Sequence, residues 1–383
     1  MTDTQASVDA ALMRRAIVLA ERGLLTARPN PAVGCVIARD DKVVGEGYHE
    51  RAGGPHAEVH ALRLAGEAAR GATAYVTLEP CAHYGRTPPC AAALVAAGVS
   101  RVVAAGLDPN PKVAGAGLAH LREHGIVAES GLLEAEARAL NAGFLSRFER
   151  GRPWLRLKLA TSLDGRTALG NGVSQWITGE AARQDVQLWR ARSGAILTGA
   201  DTVLADDPAH TVRIMADGTP CAAEISDVPH PMRVVADTRL RTPATAQLLT
   251  QPGRVVIAHG SRTTDREHLA QTGAELLAVP ADDAGLKLDW LLTWLAQQDV
   301  NDVFTEAGPR LLGALLSAGL VDEVLWYLAP NLLGLNAREA LAVGPFEKMA
   351  ERIDLQLLEH TRVGADLRLR LKPVTVASSA TPI

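Results

Sequence analysis

Apolar and polar positions along the first 130 residues switch repeatedly between a helical and a strand-like period. Leu12, Ala16, Ile17 and Ala20 fall on one face of the stretch 9–21, and Gly23 follows, which predicts a helix with a C-terminal stop. Residues 33–38 and 42–48 are β-rich runs joined across Arg39-Asp40-Asp41, the pattern of a hairpin. A helix is predicted from Pro55 to about residue 70, a buried strand over 72–78, a second helix from Pro88-Pro89 to near Gly98, and a strand over 101–106. Alternation of this kind predicts a sheet sandwiched by helices.

A charged stretch with Gly and Pro, residues 147–153, reads as a linker, and beyond it the pattern changes. Residues 154–160 alternate apolar and polar, with further strand-like runs at 195–198, 233–236, 254–258 and 302–306. Helical patterns cover 180–192, 288–298 and 310–318, and strands over 324–328, 355–360 and 366–371 complete a mixed sheet. At 383 residues the chain exceeds what one hydrophobic core serves. Two α/β domains are therefore expected, residues 1–147 and 148–383.

Composition narrows the class. Apolar residues at 47% and charged residues at 21% fit a globular protein. A net charge of −4 without a long Lys/Arg run argues against a nucleic-acid partner and for small substrates. Four Cys point to a reducing compartment, and no apolar run reaches the length of a membrane span, so a cytoplasmic protein is expected. The polar tail 377–383 reads as disordered.

The chemistry is concentrated in one spacing. His56-Ala57-Glu58 is followed after twenty-one residues by Pro80-Cys81 and after eight more by Cys90. His56, Cys81 and Cys90 are three zinc-type ligands, and Glu58 is a carboxylate not needed as a ligand, which is the stoichiometry of a catalytic site that keeps a position for water. Positions i and i+2 of a helix do not face each other, so His56 and Glu58 share a site only at the helix start that Pro55 marks. Cys90 falls in the first turn behind Pro88-Pro89, where the helix dipole favours a thiolate. The arrangement matches the zinc-deaminase signature, in which the Glu moves protons for a metal-activated water. A structural zinc closed by Cys35, His49 or His83 would leave Glu58 idle; His49, His60 and His83 are individually weak signals.

Three segments resemble a specific family: 29–37 with Pro29-Asn30-Pro31, 54–62 with His56 and Glu58, and 77–90 with both cysteines. They look like the deaminase half of the bifunctional riboflavin-biosynthesis deaminase–reductases. Eight residues between the cysteines, where the generic signature has two, are the discriminating detail. The resemblance implies a cytidine-deaminase-like three-layer domain, with Asn30 contacting a pyrimidine. In the second half, residues 158–166, 174–178, 202–208 and 305–309 are similar to the reductase half of the same family, whose fold is dihydrofolate-reductase-like with a mixed sheet. By that similarity Thr161, Trp176, Thr202, Asp206 and the run Gly308, Pro309, Arg310, Leu311, Leu312, Gly313 and Ala314 bind NADPH. Lys158, Ser174, Arg190, Arg213 and Glu306 bind the substrate, with Arg183 as a substitute for either arginine. No G-x-G-x-x-G or P-loop occurs; the strand-to-helix turn at Gly308-Pro309 offers backbone N–H groups to a phosphate instead.

The implied activities are zinc-dependent deamination of a diaminopyrimidinone ribosyl phosphate and NADPH-dependent reduction of its ribosyl chain to ribityl, with Asp206 and Glu306 as the acidic candidates for proton donor. A homo-oligomer, dimer or tetramer, is expected. Against the family pattern, Tyr84 stands where relatives often carry His, Arg310 where a small hydroxyl residue is common, and 216–231, with Cys221, reads as a variable loop. A nucleic-acid base deaminase would need a basic C-terminal half or the short cysteine spacing, and a non-catalytic zinc module would not need Glu58.

Overall fold

The computed structural model describes residues 3–82, 89–213, 228–263 and 266–374. The chain divides into two compact units, Met1–Gly151 and Arg152–Ile383.

The first unit runs α1 (Asp3–Glu21), β1 (Gly34–Arg39), β2 (Lys42–Tyr48), α2 (Ala57–Ala65), β3 (Thr73–Val76), α3 (Cys90–Ala96), β4 (Arg101–Ala104), α4 (Ala116–Glu123), β5 (Val127–Ser130), α5 (Glu134–Leu140) and α6 (Ala142–Arg150). Its strands form one sheet in the order β2-β1-β3-β4-β5, antiparallel at β2-β1-β3 and parallel from β3 to β5. The period of two along the strands divides the core. Cys35, Ile37, Ala74, Val76 and Val102 pack with Ala57, Ala61, Leu94 and Leu121 of α2, α3 and α4. Their neighbours Val36, Ala38, Tyr75 and Val103 pack on the other face with Leu12, Met13 and Ala16 of α1. The expected sandwich is thus present.

Two local expectations need correction. The helix predicted from Pro55 begins at Ala57 with His56 as its cap, and after Ala65 it tightens into a 3-10 turn, Gly66–Ala69. Residues 147–150, read as linker, continue α6, with Phe144 and Leu145 buried and Gly151 at positive φ ending the helix.

The second unit contains β6 (Trp154–Ser162), β7 (Arg166–Ala168), α7 (Glu180–Arg192), β8 (Ala195–Gly199), α8 (Ala200–Asp206), β9 (Met232–Ala236), α9 (Gln247–Thr250), β10 (Val255–Gly260), β11 (Glu275–Val279), β12 (Ala281–Asp282), β13 (Gly285–Leu286), α10 (Leu288–Gln297), β14 (Asp302–Thr305), α11 (Pro309–Ser317), β15 (Glu323–Ala329), β16 (Arg338–Glu339), β17 (Leu355–Val363) and β18 (Asp366–Pro373). Nine strands form the main sheet in the order β11-β10-β9-β8-β14-β6-β15-β18-β17. It is parallel from β11 to β15 and antiparallel at β15-β18-β17, the mixed sheet expected. The central strands β8 and β14 read as near-continuous apolar runs because both faces are covered, while β6 alternates, with Arg156 and Lys158 falling between Leu155, Leu157 and Leu159. Leu155, Leu157, Val234 and Val303 lie on one face with Leu291, Leu295, Leu312 and Leu315 of α10 and α11. Phe304, Leu325 and Tyr327 lie on the other, with Val186 and Trp189 of α7.

Candidate active sites

In the first unit, two helix starts and one strand-to-helix loop bring three ligand-type side chains together. His56 caps α2 in an extended conformation, with Glu58 in the first turn. Cys90 opens α3 behind Pro89, and Cys81 lies in the loop that follows β3. His56 Nδ1 stands 3.2 Å from Cys90 Sγ and 3.6 Å from Cys81 Sγ. All three ligand atoms lie within 4.8 Å of one another. Ligands at ordinary Zn–N and Zn–S lengths in a tetrahedron are roughly 3.5–3.8 Å apart, so the three side chains fit a zinc ion and leave one position for water. Cys35 and His49, considered as closing ligands of a structural site, are not part of this group among the described residues. His83, Tyr84 and Cys221 lie outside the described residues, as does the tail 377–383.

The electrostatics of the cysteines differ from the sequence expectation. The backbone N–H of Cys90 donates to Cys81 Sγ at 3.4 Å. The start of α3 therefore serves Cys81, whose pKa the donating Cys90 thiol and His56 bring down to about 4, while Cys90 is pushed up by sharing its proton with Cys81 and by burial. Glu58 is 3% exposed, and burial raises its carboxyl above the usual range, as suits a group that takes and returns protons.

The surrounding contacts hold this arrangement in place. Buried Glu79 accepts from the backbone N–H groups of Asp108, Gly115, Gly117 and Leu118, tying the loop before α4 to the Pro80-Cys81 segment. A Cβ at Gly117 would lie 1.8 Å from the Pro80 carbonyl oxygen, so that close approach requires glycine. Asn141 both donates to and accepts from the backbone of Ala32, at 2.8 Å each, fixing the Pro29-Asn30-Pro31 loop.

Asn30 in turn contacts His49, a residue that the sequence marks only weakly. His49 is 2% exposed, its Nδ1 lies 3.0 Å from the Pro55 carbonyl and its Nε2 3.1 Å from Asn30 Nδ2. The carbonyl can only accept, so Nδ1 carries the proton and Nε2 accepts from the amide. The ring meets His56 edge-on at 5.3 Å between centroids. A lone His closing a hairpin carries no sequence signal of this placement. His60, by contrast, has a buried Nε2 without a hydrogen-bond partner among the described residues.

In the second unit, a cleft of ≈ 1680 Å³ opens at the carboxyl ends of the parallel strands. Lys158, Ser174, Arg190, Arg213 and Glu306 all line it, as do Trp176, Thr202 and Asp206. Of the helix-start run, Gly308, Pro309, Arg310, Leu311, Leu312 and Ala314 line it too. Two expected residues do not. Thr161 is fully buried, its hydroxyl accepting from Trp326 Nε1 at 2.8 Å, and Gly313 faces the backbone of Ala342, whose carbonyl oxygen a Cβ would meet at 2.0 Å.

Several polar groups of the cleft already have partners. Arg190, expected to face a phosphate, makes a two-pronged ion pair with Glu306, with Nη2 2.8 Å from Oε2, and donates to the Thr211 carbonyl. Burial would raise the Glu306 carboxyl, but Arg190 outweighs it and holds the pKa at about 2. Burial lowers the Lys158 ammonium, against which Glu306 acts. The Gly308 N–H, at the cap of α11, donates to Thr202 Oγ1 at 3.0 Å, which fixes the turn between β14 and that helix. Trp176 is 69% exposed, with the Arg183 guanidinium 4.5 Å from its ring. Arg310 is exposed and lies 3.6 Å from Asp201. Arg213 is exposed at the rim of the cleft.

Comparison with known proteins places both halves. Residues 6–106 match the model of the cytidine and deoxycytidylate deaminase zinc-binding region, and residues 153–369 match that of the RibD C-terminal domain. The riboflavin biosynthesis protein RibD of Escherichia coli (strain K12) is 51% identical over 94% of this chain and 98% of its own length. A solved structure of Acinetobacter baumannii RibD superposes with a TM-score of 0.88 at 49% identity, covering 97% of this chain and 100% of that one. A Thermotoga maritima protein described as a diaminohydroxyphosphoribosylaminopyrimidine deaminase/5-amino-6-(5-phosphoribosylamino)uracil reductase superposes with a TM-score of 0.84 at 30% identity, over 97% and 100% of the two chains. The expected cytidine-deaminase-like and dihydrofolate-reductase-like fold classes are both borne out. With near-complete coverage at this identity and a zinc-type cluster in the matching half, the chain belongs to the RibD family, the bifunctional deaminase–reductases of riboflavin biosynthesis.

Proposed function

We propose that the first unit deaminates 2,5-diamino-6-(5-phosphoribosylamino)pyrimidin-4-one and that the second reduces the ribosyl chain of the resulting aminouracil to ribityl with NADPH. The observation that carries the first step is a buried carboxylate, Glu58, in the first turn of α2 beside His56, one of three ligands that fit zinc. Zinc held by His56, Cys81 and Cys90 supplies Lewis acidity to the attacking water. Glu58 takes one proton from that water and passes it to the ring nitrogen, then takes the second from the hydroxyl now on the ring carbon and passes it to the departing amine, so that ammonia leaves and a carbonyl replaces the amino group. Asn30, oriented by His49, contacts the pyrimidine edge.

For the second step, NADPH supplies the hydride that reduces C1′. Lys158, Ser174, Arg213 and the Arg190–Glu306 pair hold the substrate, and Trp176, Thr202, Asp206 and the turn Gly308–Pro309 hold the cofactor. Thr161 and Gly313 support that site from behind. Glu306 is ionised over the neutral range, so it acts there as an acceptor, and Asp206, which also lines the cleft, is the other acidic candidate for proton donor. A cytoplasmic location and a homo-oligomeric state, dimer or tetramer, complete the proposal, while the boundary expected at 147/148 falls inside α6 and moves to the end of that helix, after Gly151. The three cysteines among the described residues form no disulfide, which supports the reducing compartment. Among the described residues no helix is long and apolar enough to cross a membrane.

The order of steps has a direct test. NADPH oxidation should appear with the deaminated compound and be absent with the aminated compound when the Glu58→Ala variant is used. Equal oxidation of NADPH with both compounds would refute that order.

A further inference from the structure

One side chain in the reductase cleft is buried, polar and without a partner. His210 is 4% exposed and lines the cleft, yet among the described residues neither ring nitrogen has a hydrogen-bond partner. Its backbone adopts a left-handed conformation, φ +46, which side-chain-bearing residues avoid. Both features are unfavourable for folding, and the surrounding contacts impose them. Asp207 Oδ1 accepts from the Gln247 N–H at 2.8 Å, the Thr211 carbonyl accepts from Arg190 at 3.1 Å, and the Arg213 N–H donates to Gln187 at 3.0 Å. Strain and unsatisfied polar groups kept in place in this way cluster at functional sites.

Glu306 offers an acceptor close by. His210 Nδ1 lies 3.9 Å from Glu306 Oε1, just beyond a hydrogen bond, and such contacts commonly tighten when a ligand enters. The charged groups acting on the imidazole are Glu306 from the end of β14, Arg190 from α7, Lys158 from β6 and Arg233 from β9. Burial and these cations keep the ring neutral, with its pKa down at about 4, so one nitrogen is a donor and the other an acceptor throughout the neutral range.

We propose that His210 is a positioning residue of the reductase site, its Nδ1–H closing onto the Glu306 carboxylate in the substrate complex and, with Arg190, fixing that carboxylate at the substrate. This rests on the reductase reading given above. The test compares His210→Leu, which removes the donor, with His210→Asn, whose amide nitrogen can stand where Nδ1 stands. Steady-state reduction of the deaminated aminouracil ribosyl phosphate is measured together with NADPH binding by fluorescence. Misplacing a substrate-holding group by about 1 Å can cost on the order of 10²-fold in rate. His210→Leu should lower kcat at least ~10-fold with KM and NADPH binding little changed, and His210→Asn should recover most of that loss. Wild-type kcat in His210→Leu, no recovery in His210→Asn, or loss of NADPH binding in His210→Leu would each overturn the proposal. Should the wild-type protein itself fail to oxidise NADPH with this compound, the reductase reading fails first, and the two failures are thereby distinct.

Discussion

Glu58→Ala should reduce ammonia release by about 10²–10⁴-fold, the usual worth of a positioned general acid and base, while zinc content stays at one per chain. Retention follows from the geometry: His56, Cys81 and Cys90 form the ligand group without Glu58, which meets the Cys90 thiol through a hydrogen bond but supplies no ligand atom. The truncation also removes a buried ionisable group from the first turn of α2, so the fold of the first unit should not suffer. Ammonia assay and metal analysis on the same sample separate the two effects. Undiminished ammonia release would remove the proposed proton shuttle; loss of zinc would move Glu58 into the ligand set.

Glu306→Ala should destabilise the second unit by about 3–5 kcal/mol, the cost of breaking a buried ion pair from one side. Arg190 would remain buried, and Lys158 half-buried, without that counter-charge. Reductase activity should fall with it. The sign of the pH dependence follows from the depressed carboxyl. With a pKa of about 2 in the folded protein against an ordinary 4.5, Glu306 contributes stability that is present above about pH 4.5 and lost as the pH falls through about 2. That interval corresponds to a contribution on the order of 3 kcal/mol. Chemical denaturation of the second unit between pH 5 and 3 should therefore show a steeper loss of stability in the wild-type protein than in Glu306→Gln. Identical pH slopes would show that the ion pair is not coupled to folding.

The two sites differ in how far the sequence disclosed them. The zinc cluster was legible because its members sit at fixed distances from two helix starts, and Pro55 and Pro89 mark those starts in the sequence. What was missed there is non-local: the hydrogen bond from Asn30 to His49 spans 19 residues, and the clamp of Asn141 on Ala32 spans 109. The cleft of the second unit draws Lys158, Arg190, His210 and Glu306 from four separate elements, and no local spacing relates them. Family resemblance supplied most of those residues, but not that Arg190 would be paired with Glu306 or that Thr161 would be sealed beneath Trp326.

The fold shows the same division. Amphipathic α1 and α7, the β-rich run of β1 and the alternation along β6 were readable from the residue pattern alone. The short elements α4, α5, α8 and β11 were not, since five to eight residues span too few turns or repeats to establish a period. Helix α6 was hidden by charge. Its exposed face carries Arg147, Glu149 and Arg150, which imitate a linker, while Phe144 and Leu145 pack inward.

The central claim is two consecutive reactions on one phosphorylated pyrimidine, and product mass tests it most directly. Zinc-loaded protein is incubated with the diaminopyrimidinone ribosyl phosphate, with and without NADPH, and the products are separated by mass. Without NADPH the product should gain about one mass unit, as an amino group is replaced by oxygen; with NADPH it should gain about two more, as the ribosyl chain is reduced. An unchanged mass in both incubations, or a gain of two units without the first change, would contradict the account.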